Sequence, residues 1–210
     1  TRNINILLEE IQKQSVRYNM KLNLDKCINI TTNQKTSTIK FKNGKLVPRK
    51  QQATYLGTII SQQNSNRIEI DNRIADCNAQ ANKLRLFWNK AKSTIRWKLI
   101  VFDAIIRSKL LYGLEAMQLT NAEIQRINAF QMKGVRRILG IPPTHIDRQW
   151  TNIRVWEKAK QDTKNRILRF SEMLEKRKMS LLGHVLRSEI GDPMREVVCE
   201  GYALNPRILP

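Results

Sequence analysis

The chain has 210 residues, of which 38 are Lys or Arg and 18 Asp or Glu, so it carries a formal net charge of +20 with both histidines neutral. A single-sign excess of this size excludes an ordinary near-neutral cytosolic enzyme and implies a polyanionic partner, nucleic acid ahead of an anionic membrane surface. At 41% hydrophobic residues there is material for one sizeable core or two small ones, and a compact chain this long buries roughly 70% of its extended surface. Cys27, Cys77 and Cys199 lie far apart without a CxxC pair, and His145 and His184 lack ligand-like neighbours, which speaks against zinc and against a disulfide framework. The longest apolar stretch, Leu99 to Ile106, is interrupted by Asp103 and is far shorter than the roughly 20 residues a membrane span needs. The chain opens on Thr1 with no signal-peptide pattern, so no compartment is legible.

The predicted fold is mainly α with a small α/β N-terminal part. Ile4, Leu7, Leu8, Ile11 and Ser15 predict an amphipathic helix over 3–18, ended near Asn19, a residue that tolerates left-handed backbone. Cys27–Thr31, Ser37–Phe41 and Thr54–Ile60 read as strands, with Asn43-Gly44 as a hairpin turn. From 67 to 91 the stripe Ile70, Ile74, Cys77, Ala81, Leu84 and Trp88 predicts one helix, with Lys83 and Lys90 on its other faces. A second, over 93–113, buries Ile95, Leu99, Phe102, Ile106 and Leu110. A third starts at the capping box Thr120 to Glu123 and stops at Gly140, before Pro142-Pro143. A short helix over 147–160 and a longer one over 162–188, carrying Ile167, Phe170, Leu174, Leu181 and Val185, follow, and the tail after Gly191 reads as mostly irregular. The expected organisation is an α/β segment (1–60), a three-helix bundle (67–140) and a second helical segment with its tail (147–210).

Two-metal nucleotidyl transfer needs carboxylates that bridge a pair of cations, and the sequence contains no Asp-Asp; its adjacent acidic pair, Glu9-Glu10, falls on the outer face of a helix. No Gly-x4-Gly-Lys-Ser/Thr phosphate loop occurs either. The expectation is a chain that is no enzyme, takes no cofactor and holds no metal. Charge and aromatic rings remain. The basic clusters are Lys90/Lys92/Arg96, Arg136-Arg137 and Lys176-Arg177-Lys178. Flat rings among cations are what single-stranded nucleic acid stacks on. Trp88 continues a buried stripe, whereas Trp97 lies off the stripe of its helix and Trp150 and Trp156 flank a basic segment, so these three are candidate contacts.

Six short motifs in one order then resemble one family: Tyr18 to Cys27, Tyr55 to Ile60, Arg73-Ile74 with the helix to Trp88, Leu110 to Glu115, Arg136 to Ile141 and Leu182 to Arg187. Together they are similar to the region downstream of the catalytic aspartates in non-LTR retrotransposon reverse transcriptases. The resemblance implies a palm end over 1–60, a thumb-like bundle over 67–140 and a post-thumb segment over 147–188. It implies that Lys26 lies near the incoming nucleotide and that Tyr55 to Gly57 helps grip the primer, while the thumb helices follow the nucleic-acid backbone. It also places the family's aspartate-bearing turn ahead of Thr1. Asn19 stands where the family favours glycine.

Three functional expectations follow. In the first, the chain is a non-catalytic, reverse-transcriptase-derived RNA-binding protein, embraced by neighbouring proteins in a large ribonucleoprotein such as a mitochondrial ribosome. In the second, it is the thumb and C-terminal segment of an active reverse transcriptase, nuclear or cytoplasmic. A scaffold for acidic proteins is a third. The partner in the first two is RNA, held through its backbone, and no membrane is involved.

Overall fold

The computed structural model describes residues 2–31, 38–63, 65–200 and 203–204, and the chain divides between Glu69 and Ile70 into two units. In the first, α1 (Arg2–Arg17) forms as its spacing predicts, and Asn19 takes the left-handed φ of 53° that ends it. Its stripe is not covered, however: Ile4, Leu7 and Ile11 are 46–60% exposed. Asn23 caps a short 3-10 turn at Leu24–Lys26, its Oδ1 accepting from the backbone of Asp25 (3.1 Å) and Lys26 (3.3 Å).

Two of the expected strands are reduced to single bridges, Asn29 with Arg49 and Lys40 with Leu46. The second surrounds the Asn43-Gly44 turn, in which Gly44 has φ 80° and the Phe41 N–H donates to Lys45 O at 2.9 Å. Ser37 lies outside the described residues. The third expected strand is two strands, β1 (Gln52–Tyr55) and β2 (Thr58–Ser61), paired antiparallel with Gln52 opposite Ser61 and Tyr55 opposite Thr58. They turn on Leu56 and Gly57, both at positive φ (48° and 80°), the conformation that a tight two-residue hairpin turn requires. Only the glycine advertises that geometry in the sequence. Phe41 and Ile39 are the buried apolar residues among those described in this unit, and Glu69, 2% exposed, accepts the Ile59 N–H at 2.8 Å.

The helix expected over 67–91 is broken. α2 (Asn66–Lys83) ends at Leu84 and α3 (Arg85–Lys90) follows. The Trp88 indole fills the gap by donating to Ala81 O at 2.8 Å, which is why Trp88 is buried as its spacing predicts. Thr94 caps α4 (Ile95–Leu110), accepting from the Trp97 N–H at 3.2 Å. Leu99, Phe102, Ile106 and Leu110 are buried on α4, but Ile95, in the first turn, is 42% exposed. α5 (Asn121–Leu139) has the predicted capping box at Thr120 and Glu123, and Gly140, at φ 69°, closes its other end.

α6 (Asn152–Thr163) begins five residues later than expected, because a turn pinned at Pro143 and Asp147 occupies 143–150 and Thr151 is the cap. Lys164 and Asn165, at φ 53° and 58°, separate it from α7 (Phe170–Arg187). Arg169 gives α7 no side-chain cap; α5 supplies one instead. Gln131 accepts from the Phe170 N–H (2.9 Å) while donating to Leu168 O (2.8 Å), and Asn128 accepts from the Ser171 N–H (3.1 Å). The tail is not wholly irregular, since Asp192 and Pro193 start α8 (Pro193–Val198), and β3 (Cys199–Glu200) pairs with β4 (Ala203–Leu204). One core containing Ile70, Leu99, Ile106, Ile127, Val155 and Phe170 runs through the second unit, so residues 140–147 mark a turn and not a break in packing. No helix among the described residues is long and apolar enough to cross a membrane.

Phe102 and Gly134 fit one another: a Cβ added to Gly134 would lie 2.1 Å from Phe102 Cζ. Phe102→Ala should therefore cost about 3–5 kcal/mol in chemical denaturation, and Gly134→Ala should destabilise the parent but cost much less in the Phe102→Ala background, where the ring is gone. Asp103 generates a second expectation. Burial raises its pKa above the ordinary carboxyl value against the opposing pull of Arg107, whose guanidinium is 3.0 Å from Oδ2. A carboxyl that binds its proton better in the folded chain makes stability fall as pH rises through that folded pKa. Asp103→Asn should thus melt higher than the parent at neutral pH, and the gain should vanish below about pH 4, the unfolded carboxyl value.

Candidate nucleic-acid interface

Several of the cations that the sequence offers to a polyanion are committed inside the fold. Arg136, 8% exposed, donates to Pro142 O (2.6 Å), Thr144 Oγ1 (2.9 Å), Trp150 O (2.7 Å) and Asn152 Oδ1 (2.9 Å). It is a fastener of the turn between α5 and α6, buried where the sequence suggests an exposed cation. Arg177 donates to Leu111 O at 3.2 Å and faces Glu115 at 3.9 Å, so the middle of the Lys176–Lys178 cluster also points into the fold. Lys178 pairs with Glu175 at 3.7 Å. Arg107, Lys109 and Arg126 are neutralised by Asp103, Asp76 and Asp71.

Two of the aromatic candidates turn inward, Trp156 on the apolar face of α6 and Trp150 in the turn before it. Trp156 is 4% exposed beneath the Arg169 guanidinium, 5.6 Å from the ring centre. Trp150 is half-buried against the core, its carbonyl held by Arg136. Trp97, by contrast, is 55% exposed on the first turn of α4, where Arg96 is half-buried beside it.

Lys83 at the end of α2, Lys90 at the end of α3, Lys92 in the linker, Arg137 on α5 and Lys176 on α7 are exposed. None has a side-chain hydrogen bond or ion pair among the described residues. In the first unit, Lys26 is exposed at the end of its 3-10 turn, and the hairpin tip presents Tyr55 (64% exposed), Leu56 (74%) and Gly57.

The structure brings Arg137 to a cleft between α2 and α5 that is open to solvent. Trp88 and Phe102 form its floor, Asn78 one side, and Phe130, Lys133 and Arg137 the other. Lys133 is absent from the sequence-based candidates. Its signal is its position four residues before Arg137, which puts the two cations on one face of α5 about 6 Å apart along the axis. Gly134 lies between them and lets α4 come close, so the same glycine that seats Phe102 shapes the cleft floor. Cys77 is no nucleophile: burial outweighs the nearby cations and pushes its thiol up to about 11, which keeps it protonated at neutral pH. The arrangement offers charge and shape for a polyanion's backbone.

No family model and no solved structure matches the chain. The chain is similar to the RNA-directed DNA polymerase from the mobile element jockey of Drosophila melanogaster, with 24% identity over 139 residues. Those residues make up 64% of this chain and 15% of that polymerase, so the match spans a small part of the relative's length. The relative is an enzyme, and the expectation of a chain that is no enzyme is corrected on that ground. The kinship that the comparison supports is a distant one to reverse transcriptases.

Proposed function

We propose that this chain is the part of an RNA-directed DNA polymerase that holds the nucleic-acid substrate, with the helical bundle from Ile70 to Gly140 acting as a thumb and the Tyr55–Gly57 hairpin tip as a grip on the primer. The observation that carries the reading is the placement of unpaired cations on the outer faces of the bundle, Lys133 and Arg137 at the cleft above all. Arg136, Arg73 and Arg177 are spent on the interior, so the positive surface is what remains after the fold has satisfied itself. Similarity to the jockey polymerase supplies the chemical context: a template and primer are polyanions that must be held in register yet released after each step, which suits backbone contacts through exposed lysine and arginine. In this reading Trp97, Lys83, Lys90, Lys92 and Arg96 extend the same surface, and Lys176 and Lys26 contribute further contacts.

Binding of an RNA–DNA duplex should weaken steeply with salt, because each neutralised phosphate releases counterion at a logarithmic slope of about 0.9 per contact. Lys133→Gln with Arg137→Gln should reduce that slope by about 2 contacts' worth and leave thermal melting unchanged. Arg136→Gln should do the reverse, lowering the melting temperature through four lost hydrogen bonds with the slope retained. Titration of the three proteins across a salt series decides the matter; a salt-independent affinity, or a slope that Lys133 and Arg137 do not affect, would sink the reading.

A further inference from the structure

The connection between α5 and α6 is fastened from both ends. Arg136 grips Pro142, Thr144, Trp150 and Asn152 from the α5 side, and Arg154 of α6 donates to Gln149 O at 2.9 Å. Within the turn, the N–H groups of Ile146 and Asp147 both donate to Pro143 O, at 2.9 and 3.1 Å. Asp147 is the acidic residue of this turn, and its Oδ1 accepts the Gln149 N–H at 2.9 Å. A backbone held at so many points has little freedom to tuck a side chain away or bring one out.

What it presents is Ile146, 67% exposed, between the exposed His145 and the nearby exposed Arg148. A single exposed apolar residue needs no explanation on an ordinary helix surface. A rigid turn that spends a buried arginine on fixing its shape, and then offers an aliphatic tip beside a cation, is a different case. Proteins that hold duplex nucleic acid use such tips as wedges, an apolar side chain pressed between base pairs while cations hold the flanking phosphates.

Resting on the reading that this chain grips a duplex, we propose that Ile146 inserts between adjacent base pairs of the bound nucleic acid and partly unstacks them, with Arg148 on the phosphate beside the opened step. The Arg136 network is then the brace behind the wedge, since unstacking pushes back on the side chain that causes it. The surplus of positive charge, +20 over the chain, favours nucleic acid over an apolar protein surface as the occupant.

The test uses the full chain and RNA–DNA duplexes that each carry one 2-aminopurine, moved along the duplex, whose fluorescence rises when the base loses its stacking neighbour. Fluorescence should rise on binding at one position or two adjacent ones. Ile146→Ala should abolish the rise and weaken binding about tenfold, with the salt slope and the melting temperature unchanged because the side chain is exposed and uncharged. Ile146→Phe should keep the rise. A duplex that binds the parent chain but brightens nowhere, or that brightens equally with Ile146→Ala, overturns the wedge and leaves the grip standing. A parent chain that does not bind the duplex at all overturns both.

Discussion

The second unit depends on how the carboxyl end of α4 is closed. A helix leaves its last carbonyls without intrahelical partners, and here Leu110 and Leu111 are fully buried, out of reach of water. Arg73, from α2, donates to Leu110 O and Tyr112 O and lies 5.9 Å from the Tyr112 ring centre. Arg177, from α7, donates to Leu111 O. A guanidinium suits this task because it has several donors in one plane and its charge is favourable at a helix C-terminus. Leaving such a carbonyl unsatisfied costs about 1–3 kcal/mol. Helices from opposite ends of the unit are therefore bound to one point, and the short turn at Leu114–Ala116, against which α7 packs, has nowhere else to go.

That requirement changes the meaning of the positive charge. In the sequence, every Lys and Arg adds equally to the +20. In the folded chain the arginines divide into those that complete the backbone hydrogen bonding and those that face solvent, and the lysines fall mostly in the second group. Arg136 and Arg137 make the division within one dipeptide. Consecutive helical residues point about 100° apart, so a basic doublet at the edge of a buried stripe sends one side chain into the turn beyond the helix and the other outward to the cleft.

Signals that depend on near neighbours are legible in the sequence. The Thr120–Glu123 capping box, the Gly140 stop, the Asn43-Gly44 turn and the buried face of α4 beyond its first turn all follow from residues within a few positions of one another. Features that the sequence conceals depend on contacts its local patterns do not announce. The break at Leu84 exists because an indole seven residues beyond Ala81 takes over its carbonyl. The start of α7 at Phe170 is decided by two amides on α5, and no pattern near Phe170 announces them. Among the candidate contacts, Lys83, Lys90, Lys92, Arg137 and Trp97 are exposed as their charge or helical phase suggests, whereas Arg136, Arg177, Trp150 and Trp156 share the same local texture and are drawn inward by partners elsewhere. Lys133 stands alone in sequence and gains its neighbour only through the turn of the helix.

The hairpin tip shows the same principle at the scale of one residue. Leucine is a poor choice for left-handed backbone, since its Cβ meets the following carbonyl, and holding it there costs of order 1–2 kcal/mol. Leu56 nonetheless adopts φ 48° with its side chain 74% exposed, so neither backbone ease nor burial within the described residues accounts for it. The pairing of Tyr55 with Thr58 forces both turn residues into this region, and the Ile59 N–H is fixed by the buried Glu69. A glycine or asparagine at 56 would make the same turn with less strain. The tip therefore retains its strain through a pairing that leaves it no alternative, Tyr55 opposite Thr58.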